Sequence, residues 1–134
     1  MKKLILTVAM CALSACGGAT DSGSGAAASP EERGRRAFGQ CGACHSAREG
    51  DASRIGPNLY GIIGRRAGAL EDFAYSTAMR DAGLNWDTVT LDAFLADPEG
   101  YVPKNRMALP GGIPDPQRRA DLIAYLETLR SDPN

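Results

Sequence analysis

An all-α domain of several short helices joined by long loops is what these 134 residues predict. Three observations lead there. Several segments open with a capping residue followed by proline or by a helical apolar stripe. The connections between them are rich in glycine and proline. No run alternates apolar with polar residues convincingly enough to read as a strand.

Taken in order, "SPEERGRRAFGQ" starts a helix with Ser29 as N-cap, Pro30 at the first helical position and Glu32 three residues after the cap, a capping-box pattern. "YSTAMRDAG" reads as a short helical stretch around Met79. "WDTVTLDAFLADP" reads as a helix capped by Asp87 or Thr88 and stopped at Asp97 by Pro98. Asp115-Pro116 repeats the cap-then-proline start, and "QRRADLIAYLETLR" sets Leu122, Tyr125, Leu126 and Leu129 along one stripe. Loops this long would not fold around nothing, so a large apolar group is needed to supply part of the core.

The first residues stand apart from that domain. "MKK" and the twelve-residue apolar run "LILTVAMCALSA" are too short to cross a bilayer, which takes roughly 20 residues, and read as an export signal. Leu13-Ser14-Ala15-Cys16 resembles a bacterial lipobox, which makes residues 1–15 a lipoprotein signal peptide and Cys16 a lipidation site. Residues 16–29 then form the lipidated cysteine and a flexible linker, with ends on the order of 20 Å apart, and residues 30–134 the folded domain. An ordinary cleaved signal with a chance cysteine is the plainer reading of the same residues. Once Lys2 and Lys3 are removed, thirteen basic residues face sixteen acidic ones, and Lys104 is the one remaining lysine. No run is basic enough for nucleic acid.

Within the domain only Cys41 and Cys44 remain, in "FGQCGACHSA", followed at once by His45, the single histidine of the chain. A thioredoxin-like dithiol would sit beside a βαβ unit and would leave His45 idle. Structural zinc needs a fourth ligand, and no further cysteine or histidine pair exists. Cys-x-x-Cys-His is the c-type attachment signature: both sulfurs add to the porphyrin vinyl groups, and the adjacent imidazole is carried beneath the iron. With His45 used, the sixth iron position is left to a methionine, a lysine, water or nothing. Met79 suits core packing. Met107 lies in "YVPKNRMALPGG", a loop fixed by prolines and glycines that can present a thioether, and is the preferred ligand.

From about residue 31 to 129 the chain resembles the class I cytochromes c, of the mitochondrial and short bacterial branch. The resemblance is carried by "GRRAF", "CGACH", "GPNLYGIIGRRAG", "YSTAM", "LNW", "YVPKNRM" and "DLIAYL" in that order. It implies the cytochrome c fold, with short helices and long loops wrapped around one covalently bound haem c, and one-electron transfer rather than enzymatic catalysis. It further implies that Gly34 and Phe38 meet Leu122 and Tyr125 where the first and last helices cross, and that the Pro57 carbonyl accepts from His45. Arg65, Tyr75 and Trp86 fall at positions that bind the haem propionates; without the resemblance, Arg65 would read as plain surface and Trp86 as plain core. Three departures stand out. Phe94 replaces a tyrosine that often touches the ligand methionine, "ALPGGIP" is richer in glycine and proline than usual, and where many relatives dock through a ring of lysines, only Lys104 and arginines such as Arg35, Arg36, Arg66 and Arg106 are left to play that part.

The reading that follows is a monomeric electron carrier with His45 and Met107 as axial ligands. It is anchored through Cys16 on the periplasmic side of a bacterial membrane, between redox complexes such as a quinol-oxidising complex and a terminal oxidase. The alternative from another class is a haem-based gas sensor or small peroxidase in which the sixth ligand is displaceable.

Overall fold

The computed structural model describes residues 27–130. The expected signal peptide of residues 1–15, Cys16, the expected linker up to residue 26 and the last four residues lie outside the described residues. Five helices follow one another: α1 (Pro30–Ala37), α2 (Thr77–Asp81), α3 (Thr88–Ala96), α4 (Pro98–Tyr101) and α5 (Pro116–Thr128). A 3-10 helix, Phe38–Ala43, continues α1. Among the described residues the β pairing is a single antiparallel bridge, Arg66 to Asn85. The expected all-α class is therefore what is found.

The helix starts form as their sequences dictate. Ser29 accepts from the Glu32 amide at 3.2 Å while the Glu32 carboxylate accepts from the Ser29 amide at 3.0 Å, closing the capping box. Asp87, not Thr88, caps α3, accepting from the Thr90 amide at 2.7 Å. Asp115 caps α5 ahead of Pro116. Asp97 ends α3, and Pro98, which stops it, opens α4 under an Asp97 cap on the Gly100 amide at 3.0 Å. Neither the 3-10 helix nor α4 is apparent from periodicity, because each is too short to carry a pattern.

The frame is the crossing of α1 and α5. A Cβ added at Gly34 would lie 1.9 Å from the Asp121 carbonyl oxygen and 2.7 Å from the Tyr125 Cβ, so the two backbones approach more closely than any side chain permits. Phe38 packs on Tyr125 with ring centroids 5.4 Å apart, and Leu122, beneath them, is 1% exposed. Beside the crossing Arg33 donates two bonds of 2.7 Å to the Asp121 carboxylate, which also accepts from Gln117 at 3.0 Å. A second ion pair, Arg119 to Asp92 at 2.7 Å, ties α5 to α3.

The Arg33 bonds hold the Asp121 carboxyl below its ordinary value. A carboxylate depressed in the folded state contributes stability that is present above its unfolded value of about 4 and is lost as pH falls through the lower folded value. Thermal unfolding followed from neutral pH down to about pH 2 should therefore show Asp121→Asn losing less stability on acidification than wild type. An identical acid slope in the two proteins would show that the pair is not linked to folding.

Candidate haem site

The 3-10 helix and the turn after it bring the three attachment residues together. The amides of Cys44 and His45 both donate to the Cys41 carbonyl, at 3.0 and 2.9 Å. Cys41 and Cys44 are free thiols, each partly buried. Burial pushes the Cys41 thiol above its ordinary value, with Arg118 opposing the shift. The elements around them are helices, with one isolated antiparallel bridge among the described residues, whereas the dithiol reading calls for a βαβ unit.

His45 is held from below. Its Nδ1 lies 2.7 Å from the Pro57 carbonyl; a carbonyl can only accept, so Nδ1 carries the proton and Nε2 keeps its lone pair. Burial lowers the imidazole below its ordinary value, with the Pro57 bond acting against that shift, which favours the neutral ring a metal requires. Gly56 lies against the ring face, where an added Cβ would be 2.4 Å from Cε1. The loop under the ring is pinned by buried Asn58. Its Nδ2 donates to the Arg48 and Asp51 carbonyls at 2.8 Å each, and its Oδ1 accepts from the Tyr60 amide at 2.8 Å.

His45 opens onto a cleft of about 310 Å³ that runs through the centre of the domain. Cys41, Cys44, Pro57, Tyr75, Trp86 and Met107 also line it. Its walls are largely apolar, with Ile62, Leu91, Phe94, Leu95, Leu122 and Leu126 buried in them. Met79 is buried in the same wall, so the expected core role and a place in the site coincide. Phe94 packs on Trp86 at 5.1 Å and brings no hydroxyl to the cleft. Sequence reading did not single out Ile55, Phe73 or Leu109 as lining residues; each sits in a loop, where no periodicity marks a facing side.

Arg65 takes a position of its own. It lies outside the cleft lining, and its guanidinium donates to the Asn58 carbonyl at 2.7 Å and to the Tyr60 carbonyl. It stands beside Tyr75, whose phenol burial raises above its ordinary value while the guanidinium pulls it back. Trp86 is buried, and backbone bonds hold it to the 64–65 turn: its amide donates to the Arg65 carbonyl at 2.8 Å, and its carbonyl accepts from the Gly64 amide at 2.7 Å.

The Met107 loop is closed at both ends. Asn105 holds the near side, its Oδ1 accepting from the Met107 amide at 2.8 Å. On the far side, Ile113 is buried and its amide donates to the Leu95 carbonyl at 2.7 Å. Gly112, at φ 63°, lies so near the end of α3 that an added Cβ would be 2.1 Å from the Ala96 carbonyl oxygen. The unusual "ALPGGIP" glycines thus let the chain turn tightly back onto α3.

A largely apolar cleft, two free thiols on one turn, an imidazole with Nε2 free and a thioether lining the same space are a donor set that fits haem c. The family model "Cytochrome c" matches residues 31–130. Cytochrome c of Trypanosoma brucei brucei is 47% identical over 85 residues, covering 63% of this chain and 90% of that protein. Cytochrome c2 iso-2 of Magnetospirillum fulvum is 45% identical over 93 residues, covering 69% and 95%. The solved structure of cytochrome cH from Methylobacterium extorquens superposes with a TM-score of 0.67 at 41% identity, covering 72% of this chain and 95% of that one. With fold, cleft and donor set in agreement, the chain belongs to the cytochrome c family, electron carriers rather than enzymes, whose cofactor is a single covalently attached haem c.

Proposed function

We propose that this chain is a membrane-tethered periplasmic carrier that passes single electrons between respiratory complexes, such as a quinol-oxidising complex and a terminal oxidase. Cys41 and Cys44 hold the haem covalently, His45 and Met107 bind its iron, and lipidated Cys16 anchors the domain through the linker. Haem c supplies one-electron chemistry at its iron when bound. The protein's own residues then do three things. Pro57 fixes the His45 tautomer and strengthens the imidazole as a donor. Met107, which lines the cleft, would bind the iron where a substrate would otherwise bind, which favours transfer over catalysis and raises the potential relative to harder ligands. Tyr75 and Trp86, which line the cleft, and Arg65 beside Tyr75 would hold the haem propionates.

The observation that carries this reading is His45 and Met107 lining one apolar cleft, with His45 already oriented by the 2.7 Å bond to Pro57. Electrons would enter and leave at the exposed rim of that cleft, where Gln40, Ile55, Arg106 and Ala108 lie. Ile55, 77% exposed, offers an apolar contact there and Arg106 a positive charge. No helix among the described residues is long and apolar enough to cross a membrane; the lipobox-like Leu13-Ser14-Ala15-Cys16 is what supports attachment through lipid. A tether raises effective concentration at membrane partners without new contacts.

The test is the absorption spectrum of the exported, haem-loaded protein, ferric and ferrous, with and without carbon monoxide, paired with fractionation of the producing cells. The expected result is a ferric sulfur-to-iron band that vanishes in Met107→Ala, no carbon monoxide uptake by wild type, and membrane association lost in Cys16→Ser. Ready uptake of carbon monoxide by wild-type ferrous protein would instead establish the gas-binding or peroxidase reading. Membrane association unchanged in Cys16→Ser would remove the lipid anchor.

A further inference from the structure

We infer that Asn105 is the positioning residue that holds Met107 in place, the inference resting on Met107 as the axial ligand proposed above. The Asn105 side chain makes three bonds at once. Its Nδ2 donates to the Pro98 carbonyl at 2.8 Å and to the Val102 carbonyl at 2.9 Å, and its Oδ1 accepts from the Met107 amide at 2.8 Å. Two acceptors on one side and one donor on the other fix the amide orientation, and only a short primary amide meets all three. Aspartate has no proton for the two carbonyls. A hydroxyl has one donor where two are required.

What those bonds connect is as informative as their number. Pro98 opens α4 and Val102 caps its end, so Asn105 closes a four-residue helix that is too short to hold itself together. α4 in turn is capped by Asp97, the residue that also caps the end of α3, and α3 places Leu91, Phe94 and Leu95 in the cleft wall. The Asn105 amide therefore couples the rigid wall of the cleft to the backbone of Met107 through one unbroken series of bonds.

Other bonds support the loop without reaching the Met107 amide: the Lys104 amide donates to the Glu99 carboxylate at 3.0 Å, the Leu109 amide to the Met107 carbonyl at 2.9 Å, and Leu109 packs against the core. Between Val102 and Asn105 the chain makes a Pro103-Lys104 turn closed by the Asn105 amide on the Val102 carbonyl at 3.1 Å. Lys104 sits there at φ 65°, a left-handed conformation unfavourable for a residue with a Cβ. Of the residues around Met107, Arg106, Ala108 and Pro110 are exposed and Leu109 alone packs inward against the core. The same three-bond arrangement recurs on the His45 side, where Asn58 gives two bonds to carbonyls and takes one from an amide. Asn58 adjoins Pro57, which orients the imidazole, and Asn105 precedes Met107 by two residues. Each axial side chain is thus served by a loop cross-braced by one asparagine.

The experiment uses the haem-loaded full chain and compares wild type with Asn105→Ala, Asn105→Thr and Met107→Ala. The ferric sulfur-to-iron band is followed on warming, and carbon monoxide uptake is followed in the ferrous protein. With the bracing gone, Asn105→Ala should lose the band well below its own unfolding temperature and take up carbon monoxide, which wild type refuses. Asn105→Thr, which can still accept from the Met107 amide, should fall between the two. If Asn105→Ala fails to assemble, the threonine variant is read by the same criteria. A band that persists in these variants up to global unfolding, with carbon monoxide still refused, would overturn the inference and leave Asn105 a residue of general stability only. If Met107→Ala itself keeps the band, the ligand assignment has failed; if that variant loses the band while the Asn105 variants keep it, only the positioning role has.

Discussion

Replacing Gly34 with alanine should destabilise the domain by on the order of 2 kcal/mol or more, despite placing a better helix former inside a helix. Two opposing effects decide the sign. Alanine gains about 1 kcal/mol over glycine in helix propensity. Against this, the new Cβ would sit 1.9 Å from the Asp121 carbonyl oxygen and 2.6 Å from its carbon, which are backbone atoms of α5 and cannot swing aside. Relief requires α1 and α5 to move apart, which loosens Phe38 on Tyr125 and exposes Leu122, an overpacking cost of about 3 kcal/mol or more. For a domain of this size a net 2 kcal/mol lowers Tm by roughly 10 °C. Gly39→Ala is the natural comparison. A Cβ there meets nothing within 4 Å, so its Tm should stay near that of wild type. Calorimetry of both haem-loaded variants checks the pair, and a Gly34→Ala Tm equal to or above wild type would show that the crossing yields easily.

The parts of this architecture that could be read from sequence are those determined by near neighbours. Ser29 with Glu32, and Asp115 with Pro116, specify helix starts within four residues, and the folded chain forms them there. The Cys41, Cys44 and His45 cluster is equally local, since one turn of chain brings it together. The His45 bond to Pro57 spans twelve residues and was accessible only through family resemblance, as was the crossing at Gly34. Arg65 shows the limit of both routes. Its motif points to the propionates, yet its guanidinium also holds the carbonyls of Asn58 and Tyr60 and stands outside the cleft lining, an arrangement set by how the 58–65 loop closes. Asn58 and Asn105 went unnoticed because an asparagine in a loop looks the same whether it faces water or three backbone groups. Only the folded path of the chain distinguishes them.

Gly56→Ala should damage the site more directly than any change in the distant frame. The added Cβ would lie 2.4 Å from Cε1, 2.7 Å from Nδ1 and 2.8 Å from Nε2 of His45, in effect on the ring face. The backbone at Gly56 has little freedom to retreat, because its amide donates to the Cys44 carbonyl at 2.9 Å and its carbonyl accepts from the Arg54 amide at 2.9 Å. The imidazole is the group that must move, and it is held at Nδ1 by the Pro57 carbonyl at 2.7 Å. Turning the ring breaks that bond, leaves a half-buried N–H without its partner at a cost of about 1–3 kcal/mol, and turns Nε2, the nitrogen proposed to bind the iron, out of its present orientation. A ring relieved of its carbonyl partner is also a weaker donor. The expected result is a lower yield of haem-loaded protein. In what does assemble, the ferrous haem takes up carbon monoxide from the histidine side and the ferric electron paramagnetic resonance signal shifts from low spin toward a high-spin mixture. A fully low-spin signal at wild-type yield would mean that the loop, not the ring, gives way, and that the Pro57 bond tolerates more movement than its geometry implies.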